Sequence, residues 1–303
     1  MGISISFFLT QSDTQRRSTR NKNENIDDKA QWFQTLVDKQ GHLESPIDIC
    51  LSVAKPLDLI PIYWHYLDVI PKKVKLTNTG RTLLMSINYF NDRPYLCGGP
   101  FCGDFEFSQL HFHWGSNDME GSEHSADGVI YPLEMHVFYF RSIYATHEDA
   151  LREKDGVTAL VYFFKLQEET NPIIQLLVEA IPLIQNAHTS TRFKNIPLQF
   201  ILKKFERDYF LYWGAVKTTT IIHRIFWLIC REPIGITREQ MERFRILLDE
   251  DEKPILCNYR QIQERGKRHL FHVSSSTVKY ATLLPITQED EEFRMQREII
   301  IAC

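Results

Sequence analysis

Short runs of β-branched and aromatic residues, separated by turn signals, recur along most of this chain. Runs of this length, bounded by Gly, Pro, Asn and Asp, are typical of β-strands. Because the runs recur at regular intervals, they predict one large sheet. The five strongest strand predictions cover residues 72–76, 82–90, 105–114, 131–140 and 158–166.

Two further segments carry helix patterns. The first starts at Asn171-Pro172, a capping residue followed by proline, and Pro182 is expected to end or bend it. The second starts with a capping box formed by Thr237 and Gln240. Both apolar stripes predict core-facing helices, not cofactor sites. The stripes consist of Ile173, Ile174, Leu177 and Ile181 in the first segment and Met241, Phe244 and Leu248 in the second.

Histidines alternate with apolar residues in two of the predicted strands. Because successive strand side chains point to opposite faces, His111 and His113 share one face, and Glu134 and His136 share one face of the next strand. Three imidazoles can therefore converge. A catalytic zinc needs three neutral nitrogen ligands and an open fourth position for water, whose pKa it lowers from about 15.7 to about 7.

The same spacing supplies hydrogen-bond partners for two of these rings. Gln109 lies two residues before His111, and Glu134 lies two residues before His136, so each shares a strand face with its histidine. Each can accept the second ring N–H and thereby fix the tautomer. On spacing alone, two interpretations are about equally well supported: histidines that are solvated on half-exposed strands, and histidines that bind zinc.

A wider set of motifs bears on this choice. The motifs are Gly-His-Leu-Glu-Ser-Pro-Ile-Asp-Ile at 41–49, Gln-Leu-His-Phe-His-Trp-Gly at 109–115, Gly-Ser-Glu-His-Ser at 121–125, Glu-Met-His at 134–136 and Trp-Leu-Ile-Cys-Arg-Glu-Pro-Ile at 227–234. In these motifs and in their order, the sequence resembles the α-class carbonic anhydrases from about residue 32 to about residue 273. The resemblance implies a mainly β, single-domain fold with a large twisted, mostly antiparallel central sheet and a few peripheral helices.

The resemblance implies zinc-dependent, reversible hydration of carbon dioxide to bicarbonate and a proton. Zinc-bound hydroxide attacks the substrate, and His111, His113 and His136 are the zinc ligands. Gln109 and Glu134 are their hydrogen-bond partners. The expected partners are thus small molecules, carbon dioxide and bicarbonate. A catalytically weak or inactive relative that acts as a binding scaffold is the alternative; such relatives usually lack a zinc histidine, and this chain has all three.

Further roles follow only from the resemblance. Glu123 and His124 belong to a buried polar network behind the metal, and Glu123 is assigned to the catalytic step with the gate residue described below. A pocket for carbon dioxide is expected from side chains that are apolar here as in the family. These pocket residues are Phe138, Ala159, Val216 and Trp227.

The gate loop departs from the family pattern. The family has Ser-Leu-Thr-Thr-Pro-Pro after a Tyr-Trp pair, and its first threonine orients the zinc hydroxide by accepting its proton. Here residues 214–220 read Gly-Ala-Val-Lys-Thr-Thr-Thr and are about three residues short. A gapless match places Lys217 at the gate, and a shift of one residue places Thr218 there. Our hypothesis is Thr218, because lysine has three donors and no acceptor.

The proton shuttle also departs from the family pattern. Many active members have histidine after the glycine of this segment, where this chain has Arg81. Histidine titrates near neutral pH, whereas arginine does not lose its proton. We therefore expect a reduced rate, limited by proton transfer.

Charge and hydropathy limit the remaining partners. The 303-residue chain has 35 basic and 39 acidic side chains, for a formal net charge of −4. Nucleic-acid-binding surfaces are strongly basic, so no nucleic acid is expected. The sequence has no run of eighteen apolar residues, so no transmembrane segment is expected either.

The ends of the chain predict segments that flank a domain of residues 31–274. Residues 1–30 are mostly polar and predict a disordered lead, and residues 275–303 predict a flexible tail. The lead lacks the basic region and cleavage pattern of a signal peptide. Gly2 with Ser6 matches the N-myristoylation pattern, but this pattern is common by chance, and we favour an unmodified lead without membrane contact.

The cysteines lack the regular spacing of a disulfide framework. They predict reduced thiols, also at Cys97 and Cys102, which are close enough in sequence to pair across a turn. Reduced thiols and the lack of a signal peptide favour a cytoplasmic protein, and we expect a monomer. The six cysteines are Cys50, Cys97, Cys102, Cys230, Cys257 and Cys303.

Overall fold

The structure is a computed structural model that describes residues 43–153, 155–217 and 222–274. For residues 216, 217 and 222 it describes the backbone without the side chains. The predictions for the lead, for Gly2, for Thr218 and for the tail therefore lie outside the described residues.

The described chain forms a mainly β fold, as predicted. All five predicted strands are present, and their ends differ from the predicted ends by at most two residues. The strands are β1 (Asp48–Ile49), β2 (Lys55–Leu57), β3 (Ile62–His65), β4 (Lys73–Asn78), β5 (Leu83–Asn88), β6 (Tyr95–Gly98), β7 (Phe105–Trp114), β8 (Ser125–Ala126), β9 (Leu133–Arg141), β10 (Val157–Leu166), β11 (Ser190–Phe193), β12 (Tyr209–Lys217), β13 (Ile222–Cys230), β14 (Ile234–Ile236) and β15 (Leu270–Val273).

A large central sheet contains all of these strands except the β1–β8 pair. Its main path runs β11-β4-β5-β7-β9-β10-β13-β12-β15-β2. Most neighbours are antiparallel, and parallel pairing occurs between β10 and β13, β10 and β14, and β15 and β2. The prediction of a mostly antiparallel central sheet is therefore confirmed, and β7 and β9 lie side by side near its middle.

Short helices surround the sheet, and the predicted caps start two of them. The Asn171 side chain accepts hydrogen bonds from the Ile173 and Ile174 amides at 3.1 and 3.2 Å. Thr237 and Gln240 form the predicted reciprocal capping box. No helix of the described ranges is long and apolar enough to span a membrane. The helices are α1 (His147–Leu151), α2 (Pro172–Ala180), α3 (Leu198–Ile201) and α4 (Arg238–Phe244), with 3₁₀ turns at Leu51–Val53 and Ile181–Ile184.

The two capped helices, α2 and α4, end for different reasons. Pro182 lies in the 3₁₀ turn that follows α2, as expected from the loss of a helical N–H at proline. The second prediction was too long, because α4 ends at Phe244 and Leu248 lies beyond it. The Leu248 amide donates to the Gln185 carbonyl at 2.8 Å instead of continuing the helix. This tertiary hydrogen bond competes with the apolar period that predicted a longer helix.

The two faces of the central strands serve different cores. Alternate residues of β7, such as Leu110 and Phe112, enter the larger apolar cluster together with Phe244 of α4. The opposite face carries a smaller cluster that contains Phe138 and Trp227. The histidine side chains of β7 and β9 lie on this second face, because successive side chains of a strand alternate between faces.

The cysteines of the described residues are thiols, as predicted. Cys230 is buried, and burial raises the pKa of its thiol to about 12, so it is inert at neutral pH. The described thiols are Cys50, Cys97, Cys102, Cys230 and Cys257.

Candidate metal centre

Three predicted ligands, His111, His113 and His136, come together on one sheet face. His111 in β7 stands directly opposite His136 in β9. The ring centroids are 5.0 Å apart for His111 and His113, 5.3 Å for His111 and His136, and 4.6 Å for His113 and His136. One ring nitrogen from each residue lies within 4.8 Å of the other two, so three imidazole nitrogens converge as the alternation predicts.

The second nitrogen of each ring is held by a different hydrogen bond. His111 Nδ1 donates to Gln109 Oε1 at 3.1 Å, and His136 Nε2 donates to Glu134 Oε1, as the sequence predicts. His113 Nδ1 donates to the backbone carbonyl of Asn258 at 3.1 Å. These bonds orient the rings and leave His111 Nε2, His113 Nε2 and His136 Nδ1 for a ligand.

Two of the remaining nitrogens are orphaned polar atoms. The Nε2 atoms of His111 and His113 are buried and have no hydrogen-bond partner in the structure. Buried polar groups are almost always paired, so such atoms require an explanation. A set of three buried imidazoles fits zinc, which prefers nitrogen ligands at about 2.0–2.1 Å in tetrahedral geometry.

The protonation state of the rings also suits metal binding. Burial holds the pKa of His111 well below its ordinary value, and the neighbouring His113 and His136 lower it further. Burial lowers the pKa of His113 to about 4 against the opposing effect of the Glu123 carboxylate. Both imidazoles are therefore neutral at pH 7, with a lone pair available.

A buried hydrogen-bond chain extends behind His136. Glu134 Oε1 also accepts from His124 Nδ1 at 2.8 Å, and Glu134 Oε2 accepts from the His124 amide at 2.8 Å. The Tyr212 hydroxyl lies 2.7 Å from His124 Nε2 and 3.1 Å from Ser45 Oγ. The grouping of His124, Glu134 and His136 is thus a hydrogen-bonded triad, because both rings share one carboxylate oxygen.

The charge of Glu134 persists in spite of its burial. Burial raises the pKa of this carboxyl, but the neighbouring His124 and His136 outweigh it and lower the pKa to about 2. A carboxylate that accepts from a ligand histidine makes the ring a stronger electron donor. At neutral pH, Glu134 is therefore an ionised carboxylate when it accepts the hydrogen bond from His136.

A second carboxylate, Glu123, forms a bidentate ion pair with Arg260. Arg260 Nε donates to Oε1 and Nη2 donates to Oε2, each at 3.0 Å, and the Arg260 amide adds a bond of 3.1 Å to Oε1. The Oε1 atom also lies 3.5 Å from His113 Nδ1. Burial acts to raise the pKa of Glu123, but Arg260 holds it well below its ordinary value.

Three of the four predicted pocket residues lie in one row across the sheet. Phe138 stands opposite Ala159, and Ala159 stands opposite Trp227. All three are buried, and the Phe138 ring stacks on His111 with centroids 5.6 Å apart. The fourth, Val216, lies in β12, where its side chain is not described. The histidines therefore adjoin an apolar wall.

The structure describes the residue at the predicted shuttle position, but it does not describe the residue that we favour at the gate. The backbone of β12 continues through Lys217, which pairs with Ile222, and residues 218–221 lie outside the described residues. The choice between Lys217 and Thr218 thus stays a prediction. Arg81 is exposed, and its carbonyl accepts from Asn258 Nδ2 at 2.9 Å.

Sequence reasoning missed several residues that complete the site. Asn258 is 145 residues from His113, and Arg260 is 137 residues from Glu123. Tyr212 and Ser45 were not assigned to the network either. No local pattern links these positions, and their contacts arise only from the packing of distant segments.

Comparisons with known proteins agree with the family resemblance seen in the sequence motifs. A family model described as eukaryotic-type carbonic anhydrase matches residues 27–274. Carbonic anhydrase 7 of Mus musculus is 31% identical over 244 residues, which cover 78% of this chain and 90% of that protein. Carbonic anhydrase 1 of Monodelphis domestica is 32% identical over 235 residues, covering 76% and 88%. Carbonic anhydrase 3 of Homo sapiens is 29% identical over 242 residues, covering 78% and 92%.

Proposed function

Because the chain belongs to the eukaryotic-type carbonic anhydrase family, we propose that it catalyses the reversible hydration of carbon dioxide to bicarbonate, with zinc held by His111, His113 and His136. The observation that carries the proposal is the convergence of these rings with two orphaned, buried Nε2 atoms. Stopped-flow carbon dioxide hydration on zinc-loaded protein, with His111→Ala as the blank, tests it. Activity equal to the blank despite bound zinc would favour the binding-scaffold alternative.

The side chains around the histidines supply orientation and a dry substrate wall. When bound, zinc lowers the pKa of a coordinated water to about 7 and so makes a nucleophile available at neutral pH. Gln109, Asn258 and Glu134 hold the three rings by their second nitrogens. Apolar side chains exclude water and accept a neutral, apolar substrate beside the rings. The proposed wall consists of Phe138, Ala159, Val216 and Trp227.

Thr218 and Glu123 are the proposed residues of the catalytic step besides the ligands. A threonine hydroxyl can accept the proton of the attacking oxygen and donate its own hydrogen to a carboxylate. Glu123 suits the carboxylate role, because Arg260 keeps it ionised despite burial. The oxygen is then oriented for attack on the carbon of the substrate.

Thr218→Ala is expected to lower kcat/KM for hydration by about a hundredfold, which is the usual effect of losing one orienting hydrogen bond in a catalytic site. Lys217→Thr is expected to change it by less than about threefold, because the native gate is already a threonine. Thr220→Ala serves as the matched control. A large rise in rate for Lys217→Thr would instead mean that the native gate lacks its threonine.

Proton transfer is proposed to limit turnover, because Arg81 occupies the shuttle position. Imidazole buffer is expected to raise kcat in stopped-flow assays, and Arg81→His is expected to raise it by about tenfold without added buffer. Arg243→His is the control, because Arg243 is exposed on α4, which packs on the opposite face of the sheet. A rate that is independent of buffer concentration would contradict this proposal.

We further propose that the active unit is a cytoplasmic monomer. Its catalytic domain would cover residues 31–274, between a lead of residues 1–30 and a tail of residues 275–303. The thiols of the described residues are consistent with a reducing compartment.

A further inference from the structure

A cysteine and a histidine lie next to each other on the outer face of the β3–β6 hairpin, away from the candidate metal centre. The two strands are antiparallel, with His65 opposite Tyr95 and Tyr63 opposite Cys97. The Cys97 Sγ atom lies 3.4 Å from His65 Nε2, on the diagonal between these two pairs. A thiol and an imidazole are therefore within hydrogen-bond reach, which is the arrangement of a nucleophile and its base.

A third side chain holds the imidazole in place. The His65 ring stacks on the Tyr95 ring, with centroids 4.4 Å apart and an angle of 9° between the planes. The Tyr66 ring contacts Tyr95 edge-on at 5.6 Å. Aromatic pairs across neighbouring strands stabilise a hairpin and favour one packing of the rings. The His65 ring therefore presents Nε2 to the thiol in a defined orientation.

The backbone that follows Cys97 is also held closely. Gly98 has a φ of +73°, and a Cβ atom at this position would clash with the Pro61 carbonyl oxygen. The Gly99 amide donates to the same carbonyl at 3.1 Å. Glycine alone tolerates both this φ and this close approach. The end of β6, and with it the thiol, is therefore fixed against the start of β3.

The described thiols differ in exposure and in their neighbours. Cys102 and Cys230 are buried, and the Cys50 thiol is bonded to a serine hydroxyl. Cys257 is exposed, and within the described ranges no histidine lies in hydrogen-bond reach of its Sγ. Cys97 is half-buried and has an imidazole beside it. Exposure alone would therefore make Cys257 the most reactive thiol, whereas an adjacent base favours Cys97.

We propose that Cys97 is a site of modification by low-molecular-weight disulfides, with His65 as its base. In the tautomer that carries a proton on Nδ1, His65 accepts the thiol proton at Nε2. The thiolate attacks one sulfur of the disulfide, the S–S bond breaks, and the departing sulfur takes the proton from Nε2. The products are a mixed disulfide at Cys97 and one small thiol, so no further oxidant is needed.

This site is separate from the proposed function. β6 pairs with β7 at Phe105 and Glu106, and His111 lies five residues beyond Glu106 on β7. At about 3.3 Å per residue, the histidine is about 17 Å further along the strand. Neither zinc nor hydration takes part in the exchange, so the two proposals stand or fall independently.

An adjacent base has two opposing effects on the rate of exchange. It raises the ionised fraction of a thiol at pH 7, from about 3% for a free cysteine to roughly half for an activated one. Each thiolate is then less basic and about fivefold less nucleophilic. The expected net gain is about threefold.

Bis(2-hydroxyethyl) disulfide is a suitable probe, because it is uncharged, and Glu106 opposite Tyr95 disfavours anionic reagents. Peptide mapping by mass spectrometry would give the rate of adduct formation at each cysteine of the full chain at pH 7. The expected rate at Cys97 is about three times that at Cys257. His65→Phe keeps a ring that can stack on Tyr95 but removes the base, and it is expected to lower the Cys97 rate by about threefold.

Cys257 is the internal control, and its rate should not change in His65→Phe. His188→Ala is a second control, since it removes an exposed imidazole elsewhere and should leave the Cys97 rate unchanged. A Cys97 rate in the wild-type protein that does not exceed the Cys257 rate would overturn the proposal, whether or not the variant folds. A loosened hairpin would expose Cys97 and accelerate its reaction, so an unchanged or raised Cys97 rate in His65→Phe would also overturn it.

Discussion

Replacing His111 with alanine is expected to abolish carbon dioxide hydration and to weaken zinc binding by about a thousandfold. Structural zinc sites in proteins bind the ion with a free energy of about 10–16 kcal/mol. The loss of one ligand among three is therefore expected to weaken the binding free energy by roughly 4 kcal/mol. His113→Ala and His136→Ala should behave alike, because the three nitrogens face one another within 4.8 Å.

The zinc affinity would be measured by competition with a chromogenic chelator, and the hydration rate by stopped flow. His188→Ala is the matched control, since His188 is an exposed histidine that pairs with Glu250 away from β7 and β9. Wild-type zinc affinity in His111→Ala would show that the histidine cluster is not the metal centre. Retained zinc without any hydration in the wild-type protein would leave the centre in place but remove its proposed chemistry.

Replacing Arg260 with methionine is expected to lower the free energy of unfolding at pH 7 by about 3–5 kcal/mol. The Glu123 side chain is fully buried, and its two bonds to the guanidinium would be lost, which leaves a charge without its partner. The melting temperature should fall by about 10 °C. Glu123→Gln combined with Arg260→Met should recover most of this loss, because the buried charge is then absent.

The same ion pair predicts how the loss depends on pH. The pKa of the Glu123 carboxyl is depressed in the folded protein, so its contribution is present above the ordinary pKa of 4.5 and is lost as pH falls through the folded value. The difference between wild type and Arg260→Met should therefore be largest near neutral pH and shrink below about pH 4.5. Urea unfolding at several pH values measures it, and a difference that grows toward acid would contradict this account.

The predicted elements that were correct depend on short-range patterns. The capping signals at Asn171 and Thr237 act over two or three residues, so they are visible in the sequence. The end of α4 was not visible in the sequence, because the Leu248 amide donates to the carbonyl of Gln185, which lies 63 residues earlier in the chain. Element ends of this kind depend on partners that a local pattern does not contain.

In the candidate site, the spacing of residues along the chain was enough to predict the histidines of β7 and β9 and the partners two residues before them. The reason is that a strand places every second side chain on one face, which holds for His111 with Gln109 and for His136 with Glu134. Family resemblance, and not spacing, supplied the pocket, the gate and the shuttle position.

The distant groups that complete the site could be identified only from the packing of the folded chain. The Asn258 carbonyl at His113 and the Arg260 guanidinium at Glu123 join segments that are remote in sequence. The row of Phe138, Ala159 and Trp227 depends on strand register. Register is set by how all strands bury their apolar faces together, and a shift of one residue would turn every side chain of a strand to the other face. No single segment carries that information.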